Sequence, residues 1–435
     1  IRDFLNTNFQ DSSVQVKKFM AAFMLRVKLI RIVTPSLAHA LKVFETINER
    51  GVGLNAMDLL KNLLFMSTPS SEFAKLKQRW KNLVDTLDSS REKPLRFLRY
   101  YILSHYKLDE SSRPVREDEI YEWFVGHKLE CGIETQPLAF VEQLVTCAGA
   151  WRNFVRGLGI DGAPNRYLMN ISWLSGAARQ HYILLLAGRN LPAPLFAELA
   201  RHIENLFFCY VITRESTKTF ERNFARWSSE LRAAQTEEDL ESFIRRYFLP
   251  DMQTRLNAFR FAMSELTEAR IQQYRLRYIL AKLTQYVEEQ AWRNPSDGDL
   301  SKFVHGSVNI EHILPQTPMF EVANCFDRPD EYNDYKYKLG NLTLLEKTIN
   351  TSVSNSSYDQ KCAGYGQSSF LLTKSLVEKP HVGVDTSLNR AVKDLIQFDT
   401  WTSDSIDRRQ QMLANLAEAV WMKDVSPAQE QDGDV

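Results

Sequence analysis

From about residue 70 to residue 292, apolar side chains recur three and four residues apart with hardly a break. FAKLKQRWKNLVDTL, FVEQLVTCAGAWRNFV, LFAELARHIENLFFCYVITR and YRLRYILAKLTQYVEEQAW all carry this period. Each such stretch puts one apolar stripe on a helix, and several in a row bury their stripes against one another, so the pattern is that of an α-helical bundle. It stops at RNPSDGDLS (293–301), a polar linker. Beyond the linker the texture changes to short β-like runs, VNIEHI and GNLTLL, separated by a long polar loop. The chain then turns helical again and closes on an amphipathic helix, IDRRQQMLANLAEAVWM (406–422), before a polar, acidic end.

The expected fold class is therefore α+β, mainly α-helical. We read three units: 1–69, an α-helical domain over 70–295, and a small mixed domain over 296–435. A chain of 435 residues is long enough for two or three cores. Its 44% hydrophobic and 25% charged content is that of a soluble globular protein. Lys and Arg balance Asp and Glu at 54 each, which removes any global electrostatic argument for nucleic acid while leaving room for a local basic groove. Cys131, Cys147, Cys209, Cys325 and Cys362 lie far apart with no CxxC pair, against a zinc site or a disulfide framework and in favour of a reducing compartment. The apolar runs fall short of the roughly 20 residues that span a bilayer, and the start is no signal peptide, so the expected location is cytoplasmic, with no membrane partner. The chain opens without Met on the flank of an element, which implies that part of the natural protein lies outside it.

In the first unit, RVKLIRIVT (26–34) alternates β-branched residues as a strand does. Pro35-Ser36 then opens a helix through LAHALKVFETIN, Gly51 and Gly53 end it, and Asn55 caps a second helix over AMDLLKNLLF. Asp58 and Lys61 are spaced to pair at i, i+3, and the glycines allow a tight turn. The alternative reading makes Arg50 and Lys61 contributors to an anionic nucleotide or nucleic-acid site. No glycine-rich phosphate loop of Walker type occurs in the chain.

The chemistry-bearing stretch is NIEHILPQTP (309–318), followed by LGNLTLL and TIN. Hydrolysing a phosphodiester needs a base near neutral pKa and a hard cation to stabilise charge growing on the phosphate. Histidine supplies the base, and oxygen donors from Glu and Asn suit Mg²⁺ or Mn²⁺. Glu311, His312, Asn341 and Asn350 match that need. Adjacent residues of a regular strand face opposite sides, so Glu311 and His312 converge only where the strand twists or bulges at its end.

These residues resemble the HNH (ββα-metal, or His-Me finger) nucleases, in particular the subgroup with EHILPQ…LGNLTLL…N. FETINERGVGLNAMDLLKNLLF (44–65) and the ending IDRRQQMLANLAEAVW are similar to parts of GmrSD-type restriction enzymes. These are modification-dependent, type IV bacterial defence enzymes, with phosphorothioate-sensing relatives of the same layout. The resemblance implies a metal-dependent DNA endonuclease that nicks one strand per engagement. It makes 296–435 an HNH domain with His312 as general base, Glu311 and Asn350 holding Mg²⁺ or Mn²⁺, and Asn341 bracing the loop. Lys361 would neutralise a phosphate oxygen, unless it is a solvated surface lysine. Residues 1–69 would be the remnant of a ParB-like module that hydrolyses GTP or ATP through a DGQQR motif, which this sequence lacks. The competing class is a DNA-sensing or nucleotide-responsive regulator on an HNH-like scaffold, against which the intact Glu-His-Asn-Asn set argues.

Residues 301–375 carry seven Lys/Arg against eight Asp/Glu, so this unit cannot hold DNA strongly by its own charge. Two helical segments offer cations. Arg214, Lys218, Arg222 and Arg226 recur every four residues, and Arg270, Arg275, Arg277 and Lys282 stand beside Tyr274 and Tyr278. Either set is a phosphate-tracking stripe or a solvated face. A homo-oligomer is left open.

Overall fold

Prolines mark where several helices start, because a missing N–H costs nothing in a first turn. Pro94, Pro137, Pro194 and Pro250 stand there in the helices Pro94–His105, Pro137–Val155, Ala193–Ile212 and Leu249–Ser264. In the computed structural model, residues 2–9, 12–28, 31, 33, 34, 43, 56–107, 113–292, 299–318 and 320–425 are described. The elements that bear on the site are labelled α1 (Ala193–Ile212), α2 (Thr217–Ala233), α3 (Leu249–Ser264), α4 (Gln273–Trp292), β1 (Val308–His312), β2 (Leu342–Glu346), α5 (Lys347–Val353), α6 (Tyr358–Gln367) and α7 (Ser403–Trp421). The protein is mainly helical, and the β1–β2 pair is the only sheet among the described residues.

The helical stripes meet in a large core. Trp151, Tyr101, Phe97, Phe207 and Tyr278 are fully buried there. Trp173, by contrast, is 40% exposed. α1 and α4 are joined inside by a polar knot, in which Glu204 accepts from Asn170 Nδ2 (3.1 Å), Tyr278 OH (2.6 Å) and Lys282 Nζ (3.1 Å). Lys282, one of the cations of the 270–282 segment, is thus spent inside the fold.

β1 and β2 run antiparallel in regular register, from Val308 opposite Glu346 to His312 opposite Leu342. The hairpin is shared by two cores. Val308, Leu342 and Leu344 join the helical core, with Ile310 packed against it. Ile313, Leu314 and Leu345 join a second core with Val353, Tyr358, Tyr365, Trp401 and Ile406. Strand alternation is the reason: successive side chains go to opposite faces, and each face is covered.

The first unit departs from its reading. A helix, Ser13–Arg26, runs up to the point where a strand was expected to start, capped by the Ser12 hydroxyl. The segment FMAAFMLR has no β-branched residue, and only from Val27 does that chemistry begin, so helix propensity wins through Arg26. Residues 27, 28, 31, 33 and 34 form no strand. The expected helix and Gly turn over 35–55, with Arg50, lie almost wholly outside the described residues, as does the linker core 293–298. Lys61 sits half-buried on the helix Ala56–Ser67.

No described helix is long and apolar enough to cross a membrane. All five cysteines are free thiols.

Candidate active site

His312 ends β1, and its side chain is 12% exposed. Its Nε2 lies 2.8 Å from Glu268 Oε2, a carboxylate 44 residues earlier in the chain. Glu268 opens a single 3₁₀ turn, Glu268–Arg270, between α3 and α4. That turn is stitched to the segment leading into β2: Glu268 N donates to Tyr337 O (2.8 Å), Leu339 N donates to Leu266 O (3.0 Å), and Thr267 bridges Lys338. A carboxylate at Nε2 assigns the ring proton to that nitrogen and leaves the lone pair on Nδ1. Nδ1 has no hydrogen-bond partner among the described residues.

Glu311 faces the other way. Its Oε1 accepts from Lys361 Nζ at 2.6 Å and from Tyr365 OH at 2.8 Å, both on α6 and both buried. Lys361 Nζ also donates to His312 O (2.7 Å) and Ile313 O (3.3 Å), tying α6 to the backbone at the end of β1. Burial pushes the Lys361 ammonium below the usual lysine range, and Glu311 pulls it back in part. Tyr365 is raised well above an ordinary phenol, by burial and then by Glu311. Since β1 keeps regular register through His312, with no bulge, the two neighbours stay on opposite faces. Lys361, expected at a phosphate or on the surface, is instead an interior cation.

Asn341 holds the turn beside the base. Its Oδ1 accepts from Leu314 N (2.7 Å) and from Trp401 Nε1 (2.9 Å), and its Nδ2 donates to Leu314 O (3.0 Å) and Lys336 O (2.9 Å). Every polar atom of this fully buried amide is satisfied. α7 clamps the same turn from behind. Gln410 Oε1 accepts from Gly340 N (2.5 Å), while its Nε2 reaches Met263 O (3.0 Å) and Leu266 O (3.2 Å). One glutamine therefore aligns the segment that leads to Glu268 with the one that leads to Asn341. Arg409, fully buried, donates from Nη1 to Gly340 O and Leu342 O (2.7 Å each), and burial lowers its guanidinium to about 10.

For a divalent cation the donor set is mixed. Asn350 is half-buried on α5, a helix packed against both strands, and its amide makes no hydrogen bond among the described residues. It fits a ligand role. Glu311 is already neutralised by Lys361, so a cation there would have to displace the ammonium. Among the described residues no group of three or more His, Cys, Asp or Glu could hold a metal ion.

The basic segments divide. Arg214 has φ +57° and lies before α2, whose N-cap is Ser216, so the expected four-residue stripe is broken at its first member. Lys218 and Arg222 are exposed on α2. Arg277 Nη1 donates to Val308 O (2.7 Å) and thus anchors the start of β1. Arg275 donates to Leu174 O and Gln272 Oε1, and lies over the Tyr274 ring. Arg214, Arg270 and Arg275 line one groove of about 830 Å³ with Phe207, Phe261 and Ile271. Arg270 belongs to the 3₁₀ turn that also carries Glu268.

Residues 253–416 match the family model of GmrSD restriction endonucleases, C-terminal domain. No curated protein matches the chain. The matched segment takes in Glu268, His312, Asn341, Asn350, Lys361 and Gln410. It supports the GmrSD-type restriction endonuclease family and suggests an endonuclease acting on DNA. Its first residue lies inside α3, well before the linker at which the sequence texture changes. The matched segment includes one candidate group that sequence reasoning missed, Glu268. Its sole signal was the break in helical period at LTEARIQ, which says turn and nothing of a partner.

Proposed function

We propose that this protein is a metal-dependent DNA endonuclease of the HNH type within a modification-dependent restriction system. The observation that carries the reading is the His312 ring: half-buried at a strand end, held on Nε2 by a carboxylate, with Nδ1 left over. The GmrSD family match over the same residues supports it.

In this reading Nδ1 of His312 takes a proton from the water that attacks the scissile phosphate. Asn341 keeps the β1–β2 segment in line through Leu314 and Lys336, so that the ring stays at a fixed depth. The Glu311–Lys361 pair holds α6 against the backbone of His312 and Ile313. Asn350 is the residue that would hold Mg²⁺ or Mn²⁺, and Glu311 would join it only by giving up Lys361. When bound, such an ion supplies stabilisation of the negative charge on the phosphate. The DNA backbone follows the Arg214–Arg270–Arg275 groove toward His312. One such site cuts one strand, so nicking is the elementary act.

The test uses supercoiled plasmid with Mn²⁺. Wild-type protein is expected to give open circles and His312→Ala none above background. Equal nicking by the two would remove His312 as the base.

A further inference from the structure

We infer that Glu268 is the positioning residue of His312, supplied to the strand-end base by the turn between α3 and α4; the inference rests on the nuclease reading above. A histidine serves as a base only in the tautomer that leaves its lone pair on the attacking side, and the hydrogen bond at the other nitrogen fixes which tautomer that is. Here that bond is 2.8 Å, and both side chains are largely shielded, at 12% and 18% exposure. The carboxylate is itself held. Its own N–H is fixed to Tyr337 O, Leu266 is fixed to Leu339 N, and Gln410 takes the carbonyls of Met263 and Leu266. The same glutamine binds Gly340 N, next to Asn341. Glu268 therefore keeps its distance from His312 by a closed circuit of hydrogen bonds through three segments, not by a free side chain swinging in solvent.

The carboxylate's partner is chosen. Arg270, two residues on, gives its carbonyl to Arg214 and forms the groove wall, and no Lys or Arg is bonded to Glu268 among the described residues. Glu311, the acidic neighbour in sequence, cannot play the part because it points to Lys361 and Tyr365 on the opposite face.

The experiment uses the full chain in three variants, Glu268→Ala, Glu268→Gln and His312→Ala, with supercoiled plasmid and Mn²⁺. Glu268→Ala is expected to lower kcat about 10- to 100-fold with KM nearly unchanged, as when a histidine loses the group that orients it. Glu268→Gln keeps an acceptor oxygen at the same reach and is expected to recover most of that loss. A second readout needs no turnover. In protein labelled with ¹⁵N histidine, the ring signals of His312, identified by their loss in His312→Ala, are expected to report the Nε2–H form in wild type and Glu268→Gln. In Glu268→Ala they should report a mixture, with the other seven histidines unmoved. An unchanged tautomer in Glu268→Ala overturns the inference, as does cleavage equal to or faster than wild type while His312→Ala is inactive. Equal cleavage by wild type and His312→Ala overturns the nuclease reading itself, and the inference with it.

Discussion

Lys361 is an ammonium with 1% of its side chain exposed, and its role is set by three oxygens: one from Glu311 and two from the backbone at the end of β1. Removing one member of a buried ion pair leaves the other charged and uncompensated, a loss of about 3–5 kcal/mol. Lys361→Met should therefore lower the unfolding free energy by that amount in urea titrations. Lys361→Met with Glu311→Gln should regain part of it, because the stranded charge is gone. If the single and double variants unfold alike, the pair is not coupled. The residue scale is also where sequence reading fell short. EHILP points to a candidate base, but the partner of each side chain is a tertiary fact, and alternation alone told Glu311 from His312. Glu268 carries no motif and lies in a short break between two helical stretches, which says nothing of a partner.

At the scale of elements, Gly340 shows how tightly α7 lies on the turn before β2. A Cβ there would collide with Ile406 O and lie 2.8 Å from Gln410 N, both backbone atoms that cannot rotate away. Gly340→Ala is expected to cost about 3 kcal/mol, the upper end for an overpacked site. Thermal unfolding measures this, and a variant as stable as wild type would mean that α7 is free to move. The other end of α7 is tied electrostatically. Glu198 and Arg201 on α1 reach His202 and Asp424, and Glu198 is held down at about 2 by its bonds first to His202 and then to Arg201. A carboxylate depressed in the folded state stabilises above its unfolded pKa near 4.5 and loses that contribution as pH falls toward 2. Stability should thus decline over that window less steeply in Glu198→Gln than in wild type. The contribution is modest, since Glu198 is 45% exposed. The elements themselves were largely legible. Helical period gave the bundle, and VNIEHI and GNLTLL gave both strands within two residues, because apolar spacing is written locally. Of the strand expected over 26–34, Arg26 instead ends a helix and the described residues 27, 28, 31, 33 and 34 form no strand.

For the whole molecule, charge is balanced, so binding of a polyanion depends on where the cations remain free. Arg277 and Lys282 are turned inward to Val308 and Glu204. Arg214, Arg270 and Arg275 share one groove. Each phosphate contact contributes about 0.9 to the log–log salt slope on B-DNA. Reversing Arg214 and Arg275 to Glu should flatten the slope by one to two such steps, as read by fluorescence anisotropy across a salt series. Arg277→Ala should leave the slope alone and lower thermal stability. The opposite pattern would move the DNA to another face.

The clamp formed by α7 also sets a clock. A ribosome makes β1, β2 and the Glu268 turn first, and Gln410 and Arg409 leave it later. Until they do, Gly340 and the carbonyls of Met263 and Leu266 lack the glutamine that brings their segments into line. In the proposed nuclease reading, a nascent chain, or one cut short before Gln410, would carry Glu268, His312, Asn341 and Asn350 without the glutamine that joins their segments. On that reading the host genome, present while every copy is being made, would meet an aligned base only on chains translated past Gln410.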